Sequence, residues 1–70
     1  MNKEQIEAML PDCPDLLTVA GLQDCLHIGR TKAYQLVSSN QIRSFKIGAS
    51  VRIPKAALVE YILREASKAS

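Results

Sequence analysis

Apolar residues recur at helical spacing in four separate parts of the chain. Near the N-terminus, Ile6, Met9 and Leu10 share one face of a predicted helix over residues 2–10, which Asn2 is placed to cap. Three further helices are predicted by stripes with the same period. Their inward-facing residues are Val19, Leu22 and Leu26; Ala33, Leu36 and Val37; and Leu58, Tyr61 and Ile62.

Local signals predict where these helices begin and end. Pro11 and Pro14 end the first helix and favour an extended stretch from Pro11 to Leu17. Thr18 suits the N-cap of the second helix. A short turn that contains glycine, His27 to Gly29, follows that helix, and Gly29 can cap the third. Two helices joined by such a turn are typical of a helix-turn-helix.

After Asn40 the period changes from helical to two. Residues 43–47 and 50–53 alternate polar and apolar side chains, as in two half-buried strands. Gly48, Ala49 and Ser50 predict a tight turn between them. This pattern puts the apolar side chains on one face and places Lys46 and Arg52 together on the other. The apolar face comprises Phe45, Ile47, Val51 and Ile53, and Pro54 is predicted to open the last helix, which frays after Ala66.

The predicted fold class is therefore mostly α with a small β-hairpin, a winged helix-turn-helix in the order α-α-turn-α-β-β-α. We expect residues 1–70 to form a single domain. Its core is expected over residues 17–66, and residues 1–16 form an N-terminal helix and loop extension.

Charge is unevenly distributed along the 70 residues, although the net charge is only +2. Residues 1–29 contain one basic and five acidic residues, a net charge of −4, whereas residues 30–55 contain six basic residues and no acid. Such a basic block is typical of a surface that faces phosphate, and the alternative is a solvated basic face.

The composition offers little support for catalysis or metal binding. His27 has no paired carboxylate or serine arranged as a catalytic unit, so we expect no enzyme activity. Cys13 and Cys25 are expected to be free thiols in a reducing compartment. A zinc site that used both cysteines and His27 lacks a fourth ligand, so no metal or cofactor is predicted. No apolar run is long enough for a membrane span, and the N-terminal residues lack the apolar region of a secretory signal, which favours the cytoplasm.

The segment from Leu17 to Ile62 resembles the excisionase-type DNA-binding family, small relatives of MerR-like winged helix domains. The hairpin that ends in Arg-Ile-Pro is the specific part of this resemblance. The matching residues are Leu17-Thr18-Val19, Gly29-Arg30-Thr31, Ala33-Tyr34-Gln35-Leu36-Val37, Ile42, Phe45-Lys46-Ile47-Gly48 and Val51-Arg52-Ile53-Pro54-Lys55, leading into Leu58.

The resemblance implies that the second helix of the pair enters the major groove and that the hairpin contacts the neighbouring minor groove or the backbone. Arg30 and Lys32 suit guanine or phosphate, and Gln35 suits adenine. The chain departs from its relatives at the hairpin tip, where the uncharged residues 48–50 replace basic ones. The expected recognition-helix contacts are Arg30, Thr31, Lys32, Tyr34, Gln35 and Ser38, and the expected wing contacts are Arg43, Lys46, Ser50 and Arg52.

The family implies a recombination accessory factor that binds and organises or bends double-stranded DNA of a mobile element and promotes excision by a tyrosine recombinase (integrase). A small transcriptional regulator of the same fold is one alternative. A module that docks on a recombinase through its acidic segment is another. We expect a cytoplasmic, nucleoid-associated bacterial protein, monomeric in solution, that assembles on repeated DNA sites.

Overall fold

The computed structural model describes residues 2–69, and it confirms a mostly helical winged helix-turn-helix. Four helices and three short strands make up this part of the chain. In chain order they are α1 (Lys3–Ala8), β1 (Leu16–Leu17), α2 (Val19–Leu26), α3 (Arg30–Ser38), β2 (Phe45–Ile47), β3 (Ser50–Pro54) and α4 (Lys55–Ala69).

Helix α1 begins with a capping box between Asn2 and Gln5. The Asn2 side chain accepts a hydrogen bond from the Gln5 backbone N–H at 2.9 Å, and the Gln5 side chain accepts one from the Asn2 N–H at 2.8 Å. This pair satisfies two N–H groups that a helix start leaves free. Ile6 is completely buried, and α1 packs against α4. The short N-terminal helix is thus attached to the other end of the chain.

The predicted helix-turn-helix lies where the sequence indicates. The Thr18 hydroxyl accepts a hydrogen bond from the Gly21 N–H at 3.0 Å and caps α2. His27 ends α2 in the left-handed backbone conformation, with φ 55°. Gly29 then forms the extended N-cap of α3. The left-handed residue reverses the chain direction in a tight turn. As a result, α2 and α3 pack directly on each other.

The three strands form an antiparallel sheet in the order β1-β3-β2. Strand β1 was not predicted: Leu16 pairs with Pro54 and Leu17 with Ile53. The prediction for Pro54 was also wrong, because this residue ends β3 and α4 begins at Lys55. The Lys55 N–H donates to the Asp15 carbonyl at 2.8 Å and continues the contact between the two segments. Helix α4 also runs past the predicted end at Ala66.

The register of the hairpin differs from the predicted one and corrects the assignment of its faces. Only Gly48 and Ala49 form the turn, while Ser50 already belongs to β3. Lys46 therefore pairs with Val51, and Arg52 pairs with Phe45. Directly opposed residues share a face of an antiparallel pair. Lys46 and Arg52 lie on opposite faces, so the prediction that they lie together was wrong: shortening a turn by one residue exchanges the faces of one strand relative to the other.

The hydrophobic core joins the helix-turn-helix, the sheet and α4. Half-buried apolar side chains surround it, including Val19, Leu26 and Ile28. Ile28 follows the turn residue His27 and packs on the core. The buried core residues are Leu17, Leu22, Ala33, Leu36, Ile42, Ile53, Ala57 and Leu58.

The prediction of two free thiols was wrong, because Cys13 and Cys25 form a disulfide. Their Cα atoms lie 6.6 Å apart, a separation that a disulfide spans. The bond joins the loop after α1 to the last turn of α2. Sequence reasoning missed it because the fold of the proline-containing loop, rather than any cysteine motif, brings the two residues together.

None of the helices within residues 2–69 is both long and apolar enough to cross a membrane. The same part of the chain contains no cluster of three or more His, Cys, Asp or Glu side chains suited to holding a metal ion.

Candidate nucleic-acid interface

Helix α3 has one buried and one exposed side. Ala33 and Leu36 are buried in the core. Because successive residues turn by about 100° around a helix, Thr31 and Gln35 lie near the centre of the opposite side. Tyr34 and Ser38 are exposed beside them, and 48% of the Tyr34 surface is accessible. The centre of the exposed side thus consists of hydroxyl, phenol and amide groups.

The two basic residues of α3 lie on the flanks of that side. Arg30 and Lys32 are exposed and turn in opposite directions away from Thr31 between them. A helix in a DNA groove presents its flanks to the phosphates of the two groove walls and its centre to the base edges. This distribution suits a helix that enters a groove.

An open groove runs along the C-terminal half of α3. Ser39 ends the helix with its hydroxyl donating to the Gln35 carbonyl at 2.7 Å. The chain then turns through Asn40, whose φ is 61°, and returns to the core at Ile42. The groove therefore belongs to the same exposed surface as the predicted contacts. It is lined by Lys32, Gln35, Leu36, Ser38, Ser39 and Gln41.

The hairpin of β2 and β3, which we call the wing, places one predicted cation on each face. Lys46 is exposed opposite Val51, on the face that reaches the core at Ile53. Arg52 lies on the other face and is half-buried, and its guanidinium donates to the Val51 carbonyl at 3.2 Å. Ser50 is exposed beside the turn. The structure brings these residues into one hairpin but does not form a single basic face.

Arg43, the fourth predicted wing residue, already has an acidic partner. One of its guanidinium nitrogens donates to both carboxylate oxygens of Glu60 in α4, at 2.9 and 3.1 Å. The sequence places these residues 17 positions apart, so the pairing was not foreseen. It links the start of the wing to α4 and compensates one of the six positive charges of residues 30–55.

Phe45 and Ile47 were predicted to share the apolar face of the hairpin with Val51 and Ile53, and this prediction was wrong. Their exposed fractions are 43% and 56%. The two-residue turn sets them on the face of the wing shared by Arg52 and Ser50, whereas Ile53 on the opposite face is buried. The strict alternation in β2 was a correct signal for a strand, but it did not indicate which face is buried.

The remaining basic residues of this region leave a net positive surface. Within residues 2–69, five of them make no ion pair with a carboxylate: Arg30, Lys32, Lys46, Arg52 and Lys55. The acidic residues are in other segments of the chain.

Outside this surface, the pKa of the Tyr61 phenol on α4 is raised. Burial is the main cause, and the Glu65 carboxylate is the second.

Two helices joined by a tight turn, an exposed polar and basic third helix and a following hairpin define a winged helix-turn-helix of the DNA-binding class. Comparison with known families agrees: residues 16–66 match the family described as "Helix-turn-helix domain". This match covers more than two thirds of the sequence. The chain belongs to the helix-turn-helix domain family.

Two curated relatives are similar over 49 residues. One, from Saccharopolyspora erythraea, is named "Probable excisionase" and is 47% identical, and the other, from Streptomyces ambofaciens, is named "Excisionase" and is 37% identical. The aligned part is 70% of this chain, but it is 50% of the first relative and 79% of the second. The expected resemblance to excisionase-type proteins is thereby confirmed. No solved structure matches the chain significantly.

Proposed function

We propose that this protein is a sequence-specific DNA-binding excisionase. The supporting observation is the exposed side of α3, where polar side chains at the centre are flanked by Arg30 and Lys32 without an acidic neighbour in the helix. The N-terminal half of a recognition helix is the part that meets base edges in the major groove. Gln35 can form two hydrogen bonds with adenine, and Thr31 can contact either a base or a phosphate.

The wing supports the same complex from a second position. Because Lys46 and Arg52 are on opposite faces, a wing that enters a groove directs one cation toward each wall. The tip at Gly48 and Ala49 has no charge, so phosphate contacts are assigned to the faces rather than the tip. Ser50 is close enough to the turn to add a hydroxyl contact. In this arrangement the wing positions the protein, and α3 provides the sequence preference.

The names of the two relatives support a role in excision. In this proposal the protein binds and organises or bends the DNA of a mobile element, and a tyrosine recombinase performs the strand chemistry. The protein itself contributes no catalytic group. It acts as a monomer that assembles on repeated sites, in the cytoplasm and on the nucleoid of a bacterium. The DNA-binding unit is residues 17–66, and residues 1–16 are an extension.

Selection of binding sites from random duplexes, followed by fluorescence anisotropy at several salt concentrations, tests the DNA-binding step. Each phosphate contact adds about −0.9 to the slope of log K against log salt, so five unpaired cations limit it to about −4.5. We expect one enriched sequence and a slope between −2 and this limit, as phosphate contacts by about two to five side chains require. A flat salt response from folded protein would contradict DNA binding.

The excision step needs a separate assay. A plasmid that contains both ends of an integrated element is incubated with the tyrosine recombinase of that element, with and without the protein. We expect excision to depend on the protein and to be lost with the Lys32→Ala and Gln35→Ala double variant. Specific DNA binding without any effect on excision would favour a transcriptional regulator instead.

A further inference from the structure

The Cys13–Cys25 disulfide connects the helix-turn-helix to the N-terminal extension. Cys25 belongs to α2, inside residues 16–66 that match the family, whereas Cys13 lies in the extension outside the match. The bond thus attaches the extension to the helix-turn-helix. It does so two residues before His27, the left-handed residue that ends α2.

Apolar contacts hold the extension at its first helix. Helix α1 has six residues, too few to be stable alone, but it packs against α4 with Ile6 completely buried, and Leu10 is half-buried against the core. At the other end, the Asp15 carbonyl accepts a hydrogen bond from the Lys55 N–H, and the chain continues into β1. Between these ends, the loop over residues 9–14 is secured to α2 by the disulfide.

The disulfide is also accessible. Both cysteines are half-buried, and they line an open groove between the loop and the end of α2. Met9, which is 62% exposed, Asp12 and His27 lie along the same groove. A small dissolved thiol can therefore approach either sulfur, which is the condition for exchange.

We infer that the Cys13–Cys25 bond is a redox-controlled latch that holds the N-terminal extension on the helix-turn-helix. A dithiol reductant attacks one sulfur through its thiolate and forms a mixed disulfide. Its second thiol then displaces the other sulfur. Two electrons and two protons pass to Cys13 and Cys25, and the reductant becomes a disulfide. The loop over residues 9–14 is then released from α2, while the core cluster and the packing of α1 on α4 remain.

The latch has an electrostatic consequence. Residues 1–29 have a net charge of −4, and oxidation keeps Asp12 in the groove beside His27, just before the basic helix α3. Reduction allows this acidic loop to leave the turn. The inference concerns the extension and does not depend on the proposed role in excision.

Hydrogen exchange of the full chain, measured by mass spectrometry with and without dithiothreitol, tests the latch. The informative amides are those of Met9, Leu10 and Cys13, which donate to Gln5, Glu7 and Leu10 carbonyls. We expect these amides to lose protection on reduction, while α4 around Leu58 retains it. Both thiols should react with iodoacetamide after reduction only.

The Cys13→Ser and Cys25→Ser double variant is the matched control. It should exchange like the reduced protein and should not respond to dithiothreitol. Alkylation of both thiols in the air-oxidised protein would overturn the inference. Equal protection of residues 9–14 in the oxidised and reduced proteins, with α4 still folded, would also overturn it.

Discussion

Arg43 donates from a single guanidinium nitrogen to both carboxylate oxygens of Glu60, at 2.9 and 3.1 Å. Arg43 thereby differs from the other basic residues of the segment 30–55, which make no ion pair with a carboxylate within residues 2–69. The contact also shows how the last helix influences the charge of the basic segment: Glu60, from a stretch with no net charge, offsets one of the six positive charges of residues 30–55.

Replacing Arg43 by alanine should change DNA binding little. The ion pair is exposed, with 71% and 43% of the two side chains accessible, so its loss should cost no more than about 1 kcal/mol of unfolding free energy. The slope of log K against log salt should stay unchanged. In the comparison variant, Lys46→Ala, the slope should become shallower by about 0.9. Anisotropy titrations measure both slopes, and equal flattening by the two variants would assign Arg43 to DNA.

Two isoleucines of the wing test the observed hairpin register. Ile53 is buried and Ile47 is 56% exposed. Ile53→Ala should lower the unfolding free energy by about 2–5 kcal/mol, because it leaves a cavity in the core. Ile47→Ala should change it by about 0.5 kcal/mol or less, as is usual at the surface. Urea denaturation gives both values. Similar large losses for the two variants would contradict the two-residue turn and would support the predicted turn of three residues.

Gly48 provides a test of the turn itself. Its φ is +62°, and a Cβ at this position would meet no atom within 4 Å, so the constraint is backbone conformation rather than space. Gly48→Val should cost about 1–2 kcal/mol. Gly48→Asn should cost clearly less, since asparagine adopts left-handed conformations more readily. Thermal unfolding measures the stability of both variants, and equal stability would argue against a left-handed backbone conformation at position 48.

Helix α3 is expected to divide its roles between the centre and the flanks. Gln35→Ala should weaken binding to the selected site by about 1–3 kcal/mol and leave binding to random DNA nearly unchanged. Lys32→Ala should weaken both and make the salt slope shallower. Competition titrations with specific and random duplexes measure the difference. A loss of base preference in Lys32→Ala alone would reverse the two assignments.

The disulfide should also contribute to global stability. It closes a loop between positions 12 residues apart, for which the chain-entropy model gives about 3 kcal/mol. The Cys13→Ser and Cys25→Ser double variant should therefore unfold at a lower urea concentration than the oxidised wild-type protein. Its stability should match that of the wild-type protein in dithiothreitol. A double variant as stable as the oxidised protein would contradict this contribution.

The sequence by itself determined the elements whose causes are local. Asn2, Thr18 and Gly29 each mark a helix start, and the side-chain caps of Asn2 and Thr18 act over three residues. The turn at His27 and the two strands of the wing were also predicted. The exposure of α3 followed from its period, and with it the positions of the predicted recognition-helix residues on one surface.

Tertiary structure decided the relationships between distant residues. Pairing of Leu17 with Ile53, the disulfide and the Arg43–Glu60 contact join positions that are 12 to 36 residues apart, and no local pattern specifies them. Which side chains share a face of the wing depended on a single residue in the turn. Side chains alternate between the two faces of a strand, so a turn shorter by one residue moves every side chain of one strand to the opposite face relative to the other strand. Short-range hydrogen bonds thus determined the elements, while core packing determined their register and the position of each cation.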